Sequence, residues 1–244
     1  MFIGAGTVVN VVAILLGAAI GFGVGERFAS DTRELLTETL GYVTIIAGVD
    51  TLRSFWDKDL SSHLPKSSSF LVLLASLVLG TLLGKAIGIE KYLTVFGDAV
   101  KNRFAKGPNQ RFTEGFVTAS LLFVIGPLAI LGSISDGMKT GISQLILKSI
   151  LDGITSIAFA AAMGMGVGLS ALPVGIYQGI WTVIGIFLGK ALPHYQILAM
   201  NTVGGLLLIT IGLRLTKIRQ VSVATMMPAL FLAPLIAYLF SLAK

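Results

Sequence analysis

The chain alternates long apolar runs with short polar stretches. The runs cover residues 3–24, 35–52, 70–89, 116–134, 145–169, 174–192, 197–215 and 223–242. Each approaches the roughly 20 mostly apolar residues that an α-helix needs to cross a bilayer. Barrel strands would instead alternate polar and apolar residues over about ten positions. In hydrocarbon a helix satisfies its own backbone hydrogen bonds, which lipid cannot do for it. The pattern therefore predicts an all-α polytopic membrane bundle of about eight crossings, forming a single membrane domain over residues 1–244.

Composition agrees with that solvent. Hydrophobic residues make up 55% of the chain and charged residues 12%, where a soluble domain carries about 25%. Mean hydropathy is +0.89. A surface this apolar would be a set of adhesive patches in water. The net charge is +6, and its basic residues gather between the apolar runs. In such a chain they set topology and are not a nucleic-acid footprint. With the N-terminus outside, 11 of the 18 Lys and Arg residues fall on the inner side, which predicts both termini outside. Most of that bias lies in the polar stretch 90–114, which is expected to include a short amphipathic helix on the membrane surface.

The absence of Cys removes disulfides, thiolate nucleophiles and thiolate metal sites. His63 and His194 are the two histidines, both expected in loops, so no His-based metal centre and no cofactor are predicted. No phosphate-binding loop of the Walker type is present, which argues against direct ATP drive. The N-terminus lacks the charged start of a signal peptide, so the first apolar run is expected to be retained.

Two portions of the chain align without a gap at an offset of 164: Gly21 and Gly25 with Gly185 and Gly189, then Gly41, Ile45 and Gly48 with Gly205, Ile209 and Gly212. Five helices separate each element from its counterpart, so the two copies would enter the membrane in opposite directions. The reading is a 3+2+3 arrangement, with inverted repeats at 3–89 and 174–242 around central helices at 116–169. Such repeats recur in secondary transporters. Coincidence within glycine-rich apolar sequence is the alternative. Many of the 29 glycines are four residues apart. This spacing lets helix backbones approach closely in lipid, and it suits a homodimer.

Three places carry candidate chemistry. Gly126-Pro127 falls near the middle of the fourth run. Proline removes a donor and clashes with the preceding turn, so the helix is either kinked or broken there. Thr118 and Ser120 precede this point, and Ser133, Ser135 and Asp136 follow it. In the fifth run Gln144, Lys148, Asp152 and Ser156 recur every four residues and share one helix face. A charge at the bilayer centre costs about 2.5–3.5 kcal/mol on insertion scales. The stripe is therefore either the wall of a substrate or ion path, or a self-neutralising pair near the outer interface with Lys148 snorkelling. Asn10, Gln178 and Asn201 are isolated amides in other runs that bond either a ligand or a neighbouring helix. Asp50 is expected at an interface beside Arg53.

Several segments resemble the YqgA-like bacterial membrane family, catalogued as domain of unknown function 554. They are RFTEGFVTASLLFVIGPLAILGSISDG, GTVVNVVAILLGAAIG, KSILDGITSIAFA and ALPVGIYQG. The resemblance spans nearly the whole chain. It implies a bacterial cytoplasmic-membrane protein and carries no activity or site residues with it.

No catalytic constellation is visible, so an enzyme is not expected. The leading expectation is a secondary transporter or ion-conducting protein for a small polar solute or ion, its path running along the two central helices. A scaffold or regulator that binds partners or anionic lipid through the basic loop is the alternative from a different class, and a lipid-acting enzyme is a third.

Overall fold

Apolar sequence of this kind folds as helix because a backbone amide in hydrocarbon has only its own chain to bond with. The computed structural model describes residues 2–92, 95, 110–125, 127–188 and 192–243, with no strand among them. The long helices are α1 (Ala5–Gly25) and α2 (Ser30–Leu52). A 3-10 turn (Arg53–Trp56) and α3 (Lys58–His63) lead to α4 (Ser68–Ile87). After the basic stretch come α5 (Gln110–Val124), α6 (Pro127–Gly137), α7 (Ser143–Met163), the short α8 (Gly166–Leu169) and α9 (Ala171–Leu188). The chain ends with α10 (His194–Leu215), the short α11 (Val223–Met226) and α12 (Pro228–Ser241). Seven helical stretches are long and apolar enough to cross a membrane, and the bent pair α5–α6 makes an eighth if counted as one crossing.

Glycine decides two helix ends. Gly88, at φ +76°, follows α4, and Gly164, at φ +88°, follows α7. The left-handed region is open to glycine at no Cβ cost. The sequence reading carried the fifth helix on to residue 169. Gly164 instead stops it at Met163, and the sixth helical stretch starts earlier than expected, at Gly166. The expected surface helix falls largely on residues outside those described, as do Lys101, Arg103, Lys106, Gly189, Lys190 and Lys244.

The chain forms two compact units, each built from two separated stretches. The first joins Met1–Leu40 with Thr94–Ala191, the second Gly41–Leu93 with Leu192–Lys244.

In the first unit α1 and α7 pack along their whole length and run in the same direction. A methyl group on Gly17 would strike the Gly153 carbonyl, one on Gly21 that of Ile157, and one on Gly25 that of Ala161. α9 runs against α1, with Gly175 facing Val11, and Gly168 of α8 faces Ala18. The start of α5 lies at the far end of α7, where Gly115 faces Met163 and the Phe112 carbonyl lies against Gly166. The end of α6 lies at the near end, where Gly132 faces Leu145. The axes of Phe112–Val124 and Leu128–Gly137 differ by 64°. The pair thus runs from one end of the unit to the other. Between Val124 and Leu128 the chain is bent this sharply, where the sequence leaves break and kink open; Gly126 itself lies outside the described residues.

In the second unit α10 is the central helix, with 78% of its most apolar stretch buried. α2 and α10 cross antiparallel through glycines: Gly48 faces the Gly205 carbonyl with the amide and Cγ1 of Ile209, and Gly212 faces the Gly41 carbonyl with the amide and Cγ1 of Ile45. α4 and α12 also run antiparallel, Gly80 against Ala229 and Gly84 against Thr225. The glycine faces that suit a homodimer on paper are therefore largely used inside the units. The two histidines are not in loops. His63 ends α3 and His194 begins α10, and both meet the Asp59 carboxylate, at 3.3 and 2.9 Å. Asp50 is exposed and paired with Arg53 at 3.2 Å, as an interfacial residue would be.

Candidate functional site

The i, i+4 spacing of Lys148 and Asp152 sets their side chains on consecutive turns of α7. Their ion pair forms at 2.8 Å, and each residue is only 6% exposed. Lys148 does not snorkel, because the pair is enclosed by the helices of the first unit. Asn10 of α1 donates its amide to Asp152 Oδ2 at 3.0 Å. The parallel packing of α1 and α7 brings these residues together across 142 positions of sequence. Asp152 lies nine residues into α7, a rise of about 13 Å at 1.5 Å per residue. That is near the midpoint of this 21-residue helix.

A buried pair of this kind stabilises little by itself, since desolvation offsets the Coulomb attraction. Removing one partner is another matter. It leaves a lone charge and costs about 3–5 kcal/mol. The pair is thus locked in as a unit.

The first unit also buries polar groups that the protein leaves unsatisfied. Thr7 Oγ1, Asn10 Oδ1, Ser156 Oγ and both amide atoms of Gln178 have no hydrogen-bond partner. Asn10, Ser156 and Gln178 are fully buried, and Thr7 is 9% exposed. Each such group costs about 1–3 kcal/mol, and native proteins keep few of them. α9 crosses α1 at Val11 and Gly175. Gln178 is one turn beyond Gly175, on the level of Thr7 and Asn10. Ser156 faces Gly17 of α1. The unsatisfied groups are thus spread along α1, α7 and α9 of the first unit, and Asn10 is the one among them that touches the Asp152 carboxylate.

The remaining predicted residues divide clearly. Ser120 and Ser133 are buried and donate to the carbonyls of Phe116 and Ala129, both at 2.6 Å. Such back-bonds satisfy a hydroxyl locally. Thr118 is buried on α5, and Ser135 is half-buried on α6 with its carbonyl accepting from Thr140. Pro127 opens α6. Asp136 accepts from the amides of Gly4 and Gly6 at 3.1 and 2.9 Å. It caps the start of α1, where unbonded amides and the helix dipole favour a carboxylate. Gln144 is exposed in the first turn of α7, so the four-residue stripe is buried in only three of its members. Asn201 is buried and belongs to the second unit.

Sequence reasoning missed Thr7. The signal was present: Thr7, Asn10, Ile14, Gly17 and Gly21 follow the 3–4 spacing of one helix face and all are buried.

Known proteins place the chain. YdfK of Bacillus subtilis (strain 168), described as an uncharacterized membrane protein, is 28% identical over 233 residues, covering 96% of this chain and 95% of that one. YqgA of Escherichia coli (strain K12), described as uncharacterized, is 27% identical over 232 residues, covering 93% and 94%. No solved structure matches. A membrane-spanning helical bundle fits both the apolar helices and the description of the Bacillus relative. With residues 5–238 matching the family described as Protein of unknown function (DUF554), the chain belongs to that family.

Proposed function

We propose that this protein is a secondary transporter or ion-conducting protein for a small polar solute or ion, and that its path runs through the first unit beside Asp152. One observation carries the reading. A buried Lys–Asp pair lies midway along an apolar helix, bonded to Asn10 of α1, in a unit that also buries several unsatisfied polar atoms. Ionisable groups at such depth are expensive and commonly mark ion or substrate paths. Asp152 binds the positive part of the cargo or a proton, Lys148 sets the charge of the site, and Asn10 and Gln178 replace lost hydration. The 64° bend between Phe112–Val124 and Leu128–Gly137 suits a helix pair lining such a path, since interrupted backbone at membrane depth is tolerated against protein or a water-filled cavity.

The proposal includes inverted repeats. Under the offset of 164, Gly48 with Ile209 becomes Gly212 with Ile45, and the nearest neighbours of these two glycines match atom for atom. Gly41 against the Gly212 carbonyl likewise becomes Gly205 against the Gly48 carbonyl. In the first unit, Val11 and Gly175 are mutual counterparts and face each other. Antiparallel helices related in this way are what a two-fold axis in the membrane plane produces. Each unit also draws helices from both halves of the chain. The accompanying topology is the bacterial inner membrane with both termini outside, following the basic-residue bias.

The test is flux. Purified protein in liposomes is screened with cations, anions and small polar solutes under imposed gradients. Flux in the wild type and its loss in Asp152→Asn are expected. A folded, reconstituted protein that moves none of these classes refutes the reading.

A further inference from the structure

The partners of the Asp152 carboxylate are complete. Its Oδ1 lies 3.0 Å from Lys148 Nζ, and its Oδ2 lies 2.8 Å from the same ammonium and 3.0 Å from Asn10 Nδ2. The residue is 6% exposed, and the two helices meet at backbone level one position on, where Gly17 lies against the Gly153 carbonyl. A metal ion or solute reaching this carboxylate would have to displace Lys148 or Asn10. A proton would not, because it adds to an oxygen already in place.

Asn10 suits both forms of the carboxyl. Its Nδ2 donates to Asp152, while its Oδ1 is buried without a partner; a purely structural amide would use both ends. A carboxylate only accepts, whereas a carboxylic acid has one O–H to donate and keeps an acceptor oxygen. Half a turn of the amide puts Asn10 Oδ1 opposite Asp152 Oδ2. The acid then donates to Asn10, and its other oxygen still accepts from Lys148. One end of the amide is bonded in each form.

The surrounding charges are few. α1 carries no titratable side chain between Ala5 and Gly25, and α8 has none. Asp136 of α6 is held by the amides of Gly4 and Gly6. Arg111 and Glu114 stand at the start of α5, by the far end of α7. Lys148 is thus the charge bonded to Asp152. One turn before it on the same face is Gln144, which is exposed.

Resting on the transport reading, we infer that the ion this site carries is a proton, held on Asp152 Oδ2, and that Asn10 is a positioning residue whose amide turns as the proton comes and goes. Loading forms the O–H bond and takes the neutral pair to a single positive charge. The Lys148 ammonium then lacks its counter-charge, which is costly while it stays buried. The loaded site therefore favours a conformation in which the lysine stem reaches the exposed level of Gln144, so that proton binding biases one state over the other. Unloading breaks the O–H bond, and the ammonium returns to the carboxylate.

The experiment is infrared difference spectroscopy on the full chain in lipid vesicles, titrated from alkaline to acid pH. The C=O stretch of a carboxylic acid stands apart from the carboxylate bands and reads the proton directly. The folded wild type should gain such a band reversibly. Asp152→Asn should lack it, and Asp136→Asn should keep it. Asn10→Leu removes the acceptor and should raise the frequency of the band and move its midpoint by about one pH unit or more, tenfold in proton affinity. In Lys148→Met the band should be present already at neutral pH. If Asp152→Asn does not fold, the responses of Asn10→Leu and Lys148→Met identify the band. A folded wild type without such a band at any pH overturns the inference, as does a band that neither of these two variants moves. Flux in liposomes that ignores an imposed pH gradient, with no band, sinks this inference and leaves the transport reading standing. A band that responds as expected, in a protein that moves no proton, ion or solute, keeps the proton on Asp152 and refutes transport.

Discussion

The two units solve the same packing problem and differ in what they bury. Both bring helices to backbone contact through glycine: Gly17, Gly21 and Gly25 against α7 in the first, and Gly41, Gly48, Gly80 and Gly84 against α10 and α12 in the second. In the second unit, buried hydroxyls turn back onto their own helices. Ser76 donates to Val72, Thr202 to Leu198 and Thr210 to Leu206. Among its described residues, Arg214 Nε is the one buried side-chain polar atom without a partner. The first unit buries a charged pair and leaves five side-chain atoms of Thr7, Asn10, Ser156 and Gln178 unsatisfied. Glycine packing is therefore common architecture. Most of the unsatisfied polarity lies in the first unit, where the proposed path runs.

The largest test of that contrast is the charge pair. Asp152→Asn leaves a buried ammonium without its counter-charge and should lower stability by about 3–5 kcal/mol, read as a fall in the unfolding midpoint in detergent. Converting both residues, Lys148→Met with Asp152→Leu, should recover most of that loss, because an apolar replacement of a buried pair is often neutral or better. Flux should stay absent. A double variant as unstable as Asp152→Asn would show that the pair serves the fold.

Overpacking the second unit comes next. A side chain at Gly84 meets the Thr225 backbone, so Gly84→Val should cost about 1–3 kcal/mol or more. Its effect should appear as lost folded protein. Any protein that does fold should retain the flux of the wild type. A well-folded variant lacking that flux would break the division between the units.

A finer test addresses the repeat. Gly48→Ala and Gly212→Ala meet matching surroundings, so both should be destabilising and their costs should agree within about 0.5 kcal/mol, the usual scatter for independent sites. Costs differing by more than about 1.4 kcal/mol, a factor of ten in the unfolding equilibrium constant, would argue that the sequence match is accidental. The smallest effect is expected at Gly23, which has nothing within 4 Å of an added methyl. Gly23→Ala should leave the midpoint unchanged or raise it by up to about 1 kcal/mol equivalent, through helix propensity. A loss there would reveal a contact with another molecule on this face.

Much of the fold is legible from hydropathy because lipid imposes a local rule: a run of about 20 apolar residues must bond its own backbone. The stripe in α7 was legible for the same reason, since spacing by four defines a helix face whatever lies opposite. The roles of single polar residues were not. Asp136 and Asp152 look alike as carboxylates in apolar surroundings. One caps Gly4 and Gly6 at the start of α1, and the other meets Lys148 and Asn10. The local sequence gives Asp152 a lysine one turn earlier, but it does not show what either carboxylate meets on α1, because those partners lie 130 or more residues away.

By itself, then, the sequence determined that this protein is a bundle of membrane helices, roughly where most of them lie, and that α7 carries a charged pair on one face. Those properties follow from periodicity and solvent preference, which act over one helix at a time. Only tertiary structure decided that α1 and α7 run parallel, that the Gly-Pro helix crosses as two segments, and which polar side chains are left without partners. Those depend on which helices become neighbours, and in lipid that choice rests on the fit of small-residue faces along whole helices.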